Sequence, residues 1–288
     1  MNTIKNIFAR VWAFWGLVSF TITFLIIILP ALISYLFKNP IKGQLYFKYI
    51  SQLWMRVWLF LIGCPLKISG EEHFKKGHNY IVVFNHNAFL DIPLSSPFVP
   101  GCNKTIAKAS FSKVPLFGLF YKKGSVLVDR SNEKSRLSSY ENMKHVLLSG
   151  MHMCIYPEGT RNRTHQVLKP FYDGAFKLAV ENNKEIIPCI IRGTKEAMPI
   201  HKRFYLLPQK LSLSFLPTVC PENSNPKELN KRFLKLCGRS WRVRLKRFGR
   251  FCKFNGFCKN CLLFDVDLIL LNFVLLTAFE ALWYQQVL

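Results

Sequence analysis

Between Arg10 and Lys38 no residue carries a charge, and this uncharged run over positions 11–37 restricts the chain more than any other stretch. An apolar helix needs about 20 residues to cross the hydrocarbon core of a bilayer, so the run is long enough to lie in lipid. Pro30 is expected to kink or end its regular part. Lys5 and Arg10 would also suit the positive start of a signal peptide, but the apolar core is too long and no small-residue cleavage site follows it. A second apolar run, Leu53 to Pro65, contains Trp54, Arg56 and Trp58, which suits an interfacial or re-entrant helix. Half of the residues are hydrophobic while the formal charge is +24. Soluble domains rarely combine these, whereas a protein that buries apolar helices in lipid and faces anionic headgroups needs both. Nucleic acid is the rival partner for so basic a chain. No zinc-finger, helix-turn-helix or RNP-like pattern supports it, so no nucleic-acid partner is expected.

The chemistry concentrates in Tyr80 to Pro93. An apolar, β-branched run, Tyr80 to Phe84, reads as a buried strand and leads into a polar turn with His86 and, five positions on, Asp91. On one regular helix these two would lie roughly 140° apart in azimuth, so they cannot share a face. They can meet if His86 sits in the turn and Asp91 on the first turn of a following helix. The carboxylate would then hold one ring nitrogen and leave the other free as a general base. An isolated H-x4-D pair can equally be a turn histidine and a carboxylate favoured by a helix dipole.

Further along, Leu66 to Ser69 reads as an edge strand, and Lys104 to Ala107, Ser125 to Val128, Met151 to Tyr156 and Ile186 to Ile191 as further strands. Lys210 to Leu216 alternates as a partly exposed one. Helices are expected over Phe111 to Lys123, closed by Gly124, and over Phe171 to Glu181. Ser131 to Leu148 should be amphipathic, with Leu137, Met143, Val146 and Leu147 on its apolar side. Strands alternating with helices predict an α/β domain with a mostly parallel sheet flanked by helices. The domain should run over residues 66–221, after membrane-anchoring helices in 1–65 and before a basic, aromatic and apolar tail in 222–288.

Four ordered blocks change what His86 and Asp91 signify. The first is the His86 turn, and the second runs from Lys108 through Val114-Pro115-Leu116-Phe117-Gly118 to Gly124-Ser125-Val126-Leu127-Val128-Asp129-Arg130. The third is Tyr156-Pro157-Glu158-Gly159-Thr160-Arg161, and the fourth is Ile187-Pro188. In type and order they resemble the blocks of the glycerolipid acyltransferases. The two N-terminal apolar runs resemble the helix-pair anchor of bacterial members.

The resemblance implies transfer of a fatty acyl chain from acyl-CoA or acyl carrier protein to the free hydroxyl of lysophosphatidic acid, giving phosphatidic acid. His86 would be the base, with Asp91 orienting it and stabilising the imidazolium. The thioester is already activated, so no cofactor, metal or enzyme nucleophile is expected, and no G-x-S-x-G elbow is present. Glu158, Gly159, Thr160 and Arg161 would bind the acceptor, with Arg161 on its phosphate and Lys108 and Arg130 completing a cationic pocket. Arg161 could instead pin the loop through an ion pair with Glu158. The enzyme would work at a membrane, its site on the cytoplasmic side. Ala88, where many relatives carry a small hydroxyl residue, and Tyr172-Asp173, where relatives often place a lysine, leave the acceptor open. Lyso-ornithine lipid or another lysophospholipid is the alternative, and a non-catalytic anchor for anionic lipid is a reading of another class.

The resemblance fades beyond Pro221. From Lys231 to Lys259 there are eleven Lys or Arg and no Asp or Glu, interleaved with aromatics, which reads as a membrane-surface segment. Leu268 to Leu288 is a marginal span. Cys252, Cys258 and Cys261 lack a convincing fourth ligand, with Cys237 the only nearby candidate, so reduced thiols are expected rather than a zinc site.

Overall fold

A computed structural model describes residues 2–129, 131–164, 166, 168–221 and 224–235. Arg130, Cys237, Cys252, Cys258, Cys261 and most of the expected tail lie outside the described residues.

The uncharged run folds as one helix, α1 (Asn2–Leu32), with Pro30 inside its last turns and a single 3-10 turn after it. Proline so near the end removes a hydrogen bond that fraying would weaken anyway, which is why the helix passes through it. The second helix, α2 (Pro40–Leu61), starts well before the expected Leu53: Asn39 caps it by accepting from the N–H groups of Ile41 and Lys42, with Pro40 in the first turn. Four indoles join the two helices. Trp12 and Trp15 donate to the carbonyls of Ile62 and Leu61, Trp58 donates to Gly16 O, and Trp54 to Thr23 Oγ1, all at 2.9–3.0 Å. A buried indole N–H needs such a partner. Gly16 lets the helix approach closely, since a Cβ there would come within 2.6 Å of Leu206 Cδ2 and the leucine would have to shift.

This corrects the expected anchoring pair. Among the described residues one helix, Thr3–Tyr35, is long and apolar enough to cross a membrane. α2 carries Lys42, Lys48 and Arg56; it buries Phe47, Trp54, Met55 and Trp58 in the protein and leaves Tyr49, Leu53, Val57 and Phe60 exposed, so it packs through one face and is not a second apolar span.

The remaining elements are β1 (Leu66–Ser69), β2 (Ile81–Phe84), α3 (Asp91–Ser95), β3 (Asn103–Lys108), α4 (Phe117–Gly124), β4 (Ser125–Val128), α5 (Glu133–Leu148), β5 (His152–Ile155), α6 (Gly174–Glu181), β6 (Ile186–Arg192) and β7 (Leu211–Phe215). The seven strands form one sheet in the order β1-β7-β6-β2-β5-β3-β4. β6, β2, β5, β3 and β4 run parallel, while β7 pairs antiparallel with β6 and parallel with β1. The pleat sends alternate residues to opposite faces. Tyr80, Val82 and Phe84 pack with Trp54 and Trp58 of α2. Ile81 and Val83 pack with Met143 and Leu147 of α5 and Phe176 of α6. The sheet is covered on both faces, and the N-terminal helices share one of its two cores.

Three local expectations change. β7 is buried throughout, because it lies between β1 and β6 rather than at an edge. Leu137 is exposed, and the apolar side of α5 is Met143, Val146 and Leu147. The expected helix from Phe111 breaks in two, a 3-10 turn at Ala109–Lys113 and then α4, with Pro115 and Leu116 (φ 58°) between them.

His152 ties β5 to β2: its Nδ1 accepts from Tyr80 N at 3.0 Å, so the ring must stay neutral. Burial pulls its pKa down to about 4. For a base depressed from 6.5, the stabilisation is complete above the unfolded value and is lost as pH falls through the folded one. Thermal stability should therefore drop between pH 6.5 and pH 4, by roughly 3 kcal/mol at full titration. His152→Asn, whose Oδ1 can keep the Tyr80 bond, should be flatter in that window. An equal acid loss in both proteins would show that His152 is not the group responsible.

Candidate active site

β2 is the central parallel strand, and its C-terminal end carries the site, as open α/β sheets dictate. Asn85 fixes where the turn begins. Its amide donates to Ile191 O at 3.0 Å and its Oδ1 accepts from Ile191 N at 2.8 Å, locking the exit of β2 to β6.

Asp91, the first residue of α3, is fully buried and organises the turn through one oxygen. Oδ2 lies 2.8 Å from His86 Nδ1 and accepts from Asn87 N at 2.6 Å and Ala88 N at 2.8 Å. With two backbone donors already on it, Oδ2 is an acceptor toward the ring, so Nδ1 must carry the proton it donates. Nε2 is left with a lone pair, and among the described residues it has no hydrogen bond. The His86 side chain is 12% exposed. An oriented imidazole with one accessible basic nitrogen can remove a proton from a bound hydroxyl.

The loop after β5 holds the same histidine by its backbone. Glu158 is buried; Oε1 accepts from His86 N at 2.8 Å and Oε2 from Lys169 N at 3.1 Å. Asn162 N donates to His86 O at 2.7 Å, so the backbone on both sides of His86 is gripped. Burial raises the Glu158 pKa to about 7, against the two N–H donors that favour its charged form. Gly159 has φ +72°, and a Cβ there would strike the Tyr172 ring at 2.7 Å, so the turn needs glycine. Thr160 is exposed at the turn and accepts from Lys169 Nζ at 2.8 Å.

Arg161 lies between the two loops, its guanidinium over the Phe89 ring with Cζ 3.5 Å from the centroid. Burial and the neighbouring Arg163 lower its pKa to about 10, opposed by Asp91, and it stays charged at neutral pH. Among the described residues it makes no ion pair or hydrogen bond. The suggested pair with Glu158 does not form, because both Glu158 oxygens face backbone N–H groups. Lys108 ends β3 at the same sheet edge, exposed, but β5 separates β3 from β2, an offset of about 10 Å between strand axes. Among the described residues Lys108 has no hydrogen bond or ion pair with Arg161 or His86.

Sequence reasoning missed Asn85, Asn162 and Lys169. Asn85 had a signal, an amide ending a strand of otherwise apolar residues. The other two hold Glu158 and His86 through their backbone N–H groups, which no side-chain spacing reports.

Residues 65–192 match the protein-family model described as Acyltransferase. The chain is 32% identical over 148 residues to a 1-acyl-sn-glycerol-3-phosphate acyltransferase of Saccharomyces cerevisiae, covering 50% of this chain and 48% of that protein. It is 28% identical over 172 residues to the alpha enzyme of that name from Mus musculus, covering 59% and 60%. It is 31% identical over 179 residues to that of Limnanthes douglasii, covering 62% and 61%. The matched stretch thus spans about half to three fifths of these relatives. The crystal structure of the 1-acyl-sn-glycerophosphate acyltransferase PlsC from Thermotoga maritima superposes with a TM-score of 0.67 at 22% identity, covering 90% of this chain and all of that one. At that identity the likeness shows the fold.

Proposed function

We propose that the acyltransferase-family domain at residues 65–192 moves a fatty acyl chain from a thioester to the free hydroxyl of 1-acyl-glycerol-3-phosphate, forming phosphatidic acid. The observation that carries this reading is the His86–Asp91 pair at the end of the central strand, with Nε2 open and the Arg161 cation stacked on Phe89 of the same turn. His86 Nε2 takes the proton of the acceptor hydroxyl as its oxygen attacks the thioester carbon. Asp91 stabilises the imidazolium, and that proton then passes to the departing thiolate. The donor, acyl-CoA or acyl carrier protein, is already activated, so the chemistry needs no metal, cofactor or acyl-enzyme. Arg161 is assigned to the acceptor phosphate, a dianion that a guanidinium binds through paired hydrogen bonds. Glu158 is assigned to holding the His86 backbone.

The same reading places the protein at a membrane through α1 and its site on the cytoplasmic side, where acyl thioesters are made. The described cysteines Cys64, Cys102, Cys154 and Cys189 are reduced thiols, which suits a reducing compartment. A non-catalytic anchor would have no use for an oriented histidine with an open nitrogen.

A single assay tests both parts: membranes washed in high salt, given labelled acyl donor and a panel of lysolipids with and without a phosphate monoester. Activity should stay in the pellet and be greatest with lysophosphatidic acid, since an inserted apolar helix is insensitive to ionic screening. Preference for a lysolipid lacking the phosphate monoester would move the acceptor to the lyso-ornithine or lysophospholipid class. Release by salt alone would show that no segment is inserted.

A further inference from the structure

Tyr156 directly follows β5 beside the His86 ring, and neither the His86 turn nor the Glu158 loop accounts for it. Its ring centroid lies 4.5 Å from that of His86, with the planes tilted by 36°. Its hydroxyl donates to Asp91 O at 2.9 Å, so one side chain touches both members of the pair. The residue is 9% exposed and packs against Phe84 on the apolar face of the sheet. Burial and the nearby Asp91 carboxylate hold its hydroxyl in the protonated, donating form.

Resting on the acyl-transfer reading, we propose that Tyr156 is a positioning residue that favours the imidazolium of His86 through the face of its ring. During transfer His86 is neutral before the hydroxyl attacks and positive once it holds the proton. A ring face attracts a cation within about 6 Å and is nearly indifferent to a neutral ring. Its contribution therefore grows as the proton arrives, which is the condition for accelerating the step rather than only binding substrate. The other charged groups around His86 are Asp91, on Nδ1; Glu158, on the backbone N–H; and Arg161, held off on Phe89. Asp91, the ionised form of Glu158 and Tyr156 are then the groups whose attraction to the ring rises on protonation, and Tyr156 is the one among them that carries no charge.

The hydroxyl and the ring face separate by substitution. Tyr156→Phe keeps the face and loses the bond to Asp91 O; Tyr156→Leu and Tyr156→Met keep apolar bulk and lose the face. On the full chain in detergent or vesicles, Tyr156→Phe should retain most of the kcat, while the Leu and Met variants lose about two- to thirtyfold in kcat with KM for both substrates unchanged. The ring resonances of His86 supply a readout free of turnover. They should titrate at lower pH in the Leu and Met variants than in wild type and Tyr156→Phe. Their titration in folded protein needs no turnover, and it decides the role of Tyr156 even if the wild type proves to transfer no acyl group. Equal titration in all four proteins, or losses that fall on KM or strike Phe and Leu alike, would overturn the proposal.

Discussion

His86→Ala is expected to abolish acyl transfer, by about 10²–10⁴-fold or to background, while the protein still folds and sediments with membranes. The fold should survive because Asp91 keeps its bonds to Asn87 N and Ala88 N, and Glu158 still receives the N–H of residue 86. Asp91→Asn is the sharper probe. Its carbonyl oxygen can take over all three bonds that Oδ2 makes, while its amide falls where Oδ1 is buried without a partner. The geometry can persist while the charge is lost, and activity should still fall about 10²–10⁴-fold because an amide cannot stabilise the imidazolium. Asp91→Ala would also release the turn and should lower thermal stability, which the Asn variant separates from the chemical effect. Near-normal turnover by a folded His86→Ala protein would remove the general-base role.

The second large effect is expected at Arg161. A hydrogen bond to a charged group contributes roughly 1.5–3 kcal/mol net, so Arg161→Ala should raise KM for lysophosphatidic acid about ten- to a hundredfold. Affinity for the acyl donor should change little. Arg161→Lys should recover only part of the loss, since an ammonium keeps the charge but neither the planar fork nor the flat stacking on Phe89. A lysolipid without the phosphate monoester is the control. If Arg161→Ala slows both acceptors equally, the arginine acts on the loop and not on the phosphate.

Much of the α/β order was legible because β2, β4 and β6 are short runs rich in Val and Ile, separated by stretches of helical pattern. The meeting of His86 with Asp91 was legible too, because five-residue spacing leaves a turn followed by a helix as the way to join them. What misled were places where polar side chains are satisfied inside the protein. Ser212 and Ser214 make β7 look half solvated, yet Ser212 accepts from Arg192 and Ser214 bonds Ser69, so both are buried. Lys42, Lys48 and Arg56 interrupt the apolar pattern of α2 and hid its first turns, and the helix is not a second apolar span. Glu158 and Arg161 are near enough in sequence to suggest an ion pair. The turn at Gly159 parts them, one toward backbone N–H groups and one toward Phe89, and the sign of a charge does not report that choice.

The most direct test is stoichiometric. Purified full-length protein in vesicles, supplied with acyl-CoA and labelled lysophosphatidic acid, should form one diacyl product for each thiol released. His86→Ala in the same vesicles should give neither. Thiol released together with free fatty acid and no phosphatidic acid, or product formed equally by the His86→Ala protein, would contradict His86-dependent transfer to the lysolipid hydroxyl.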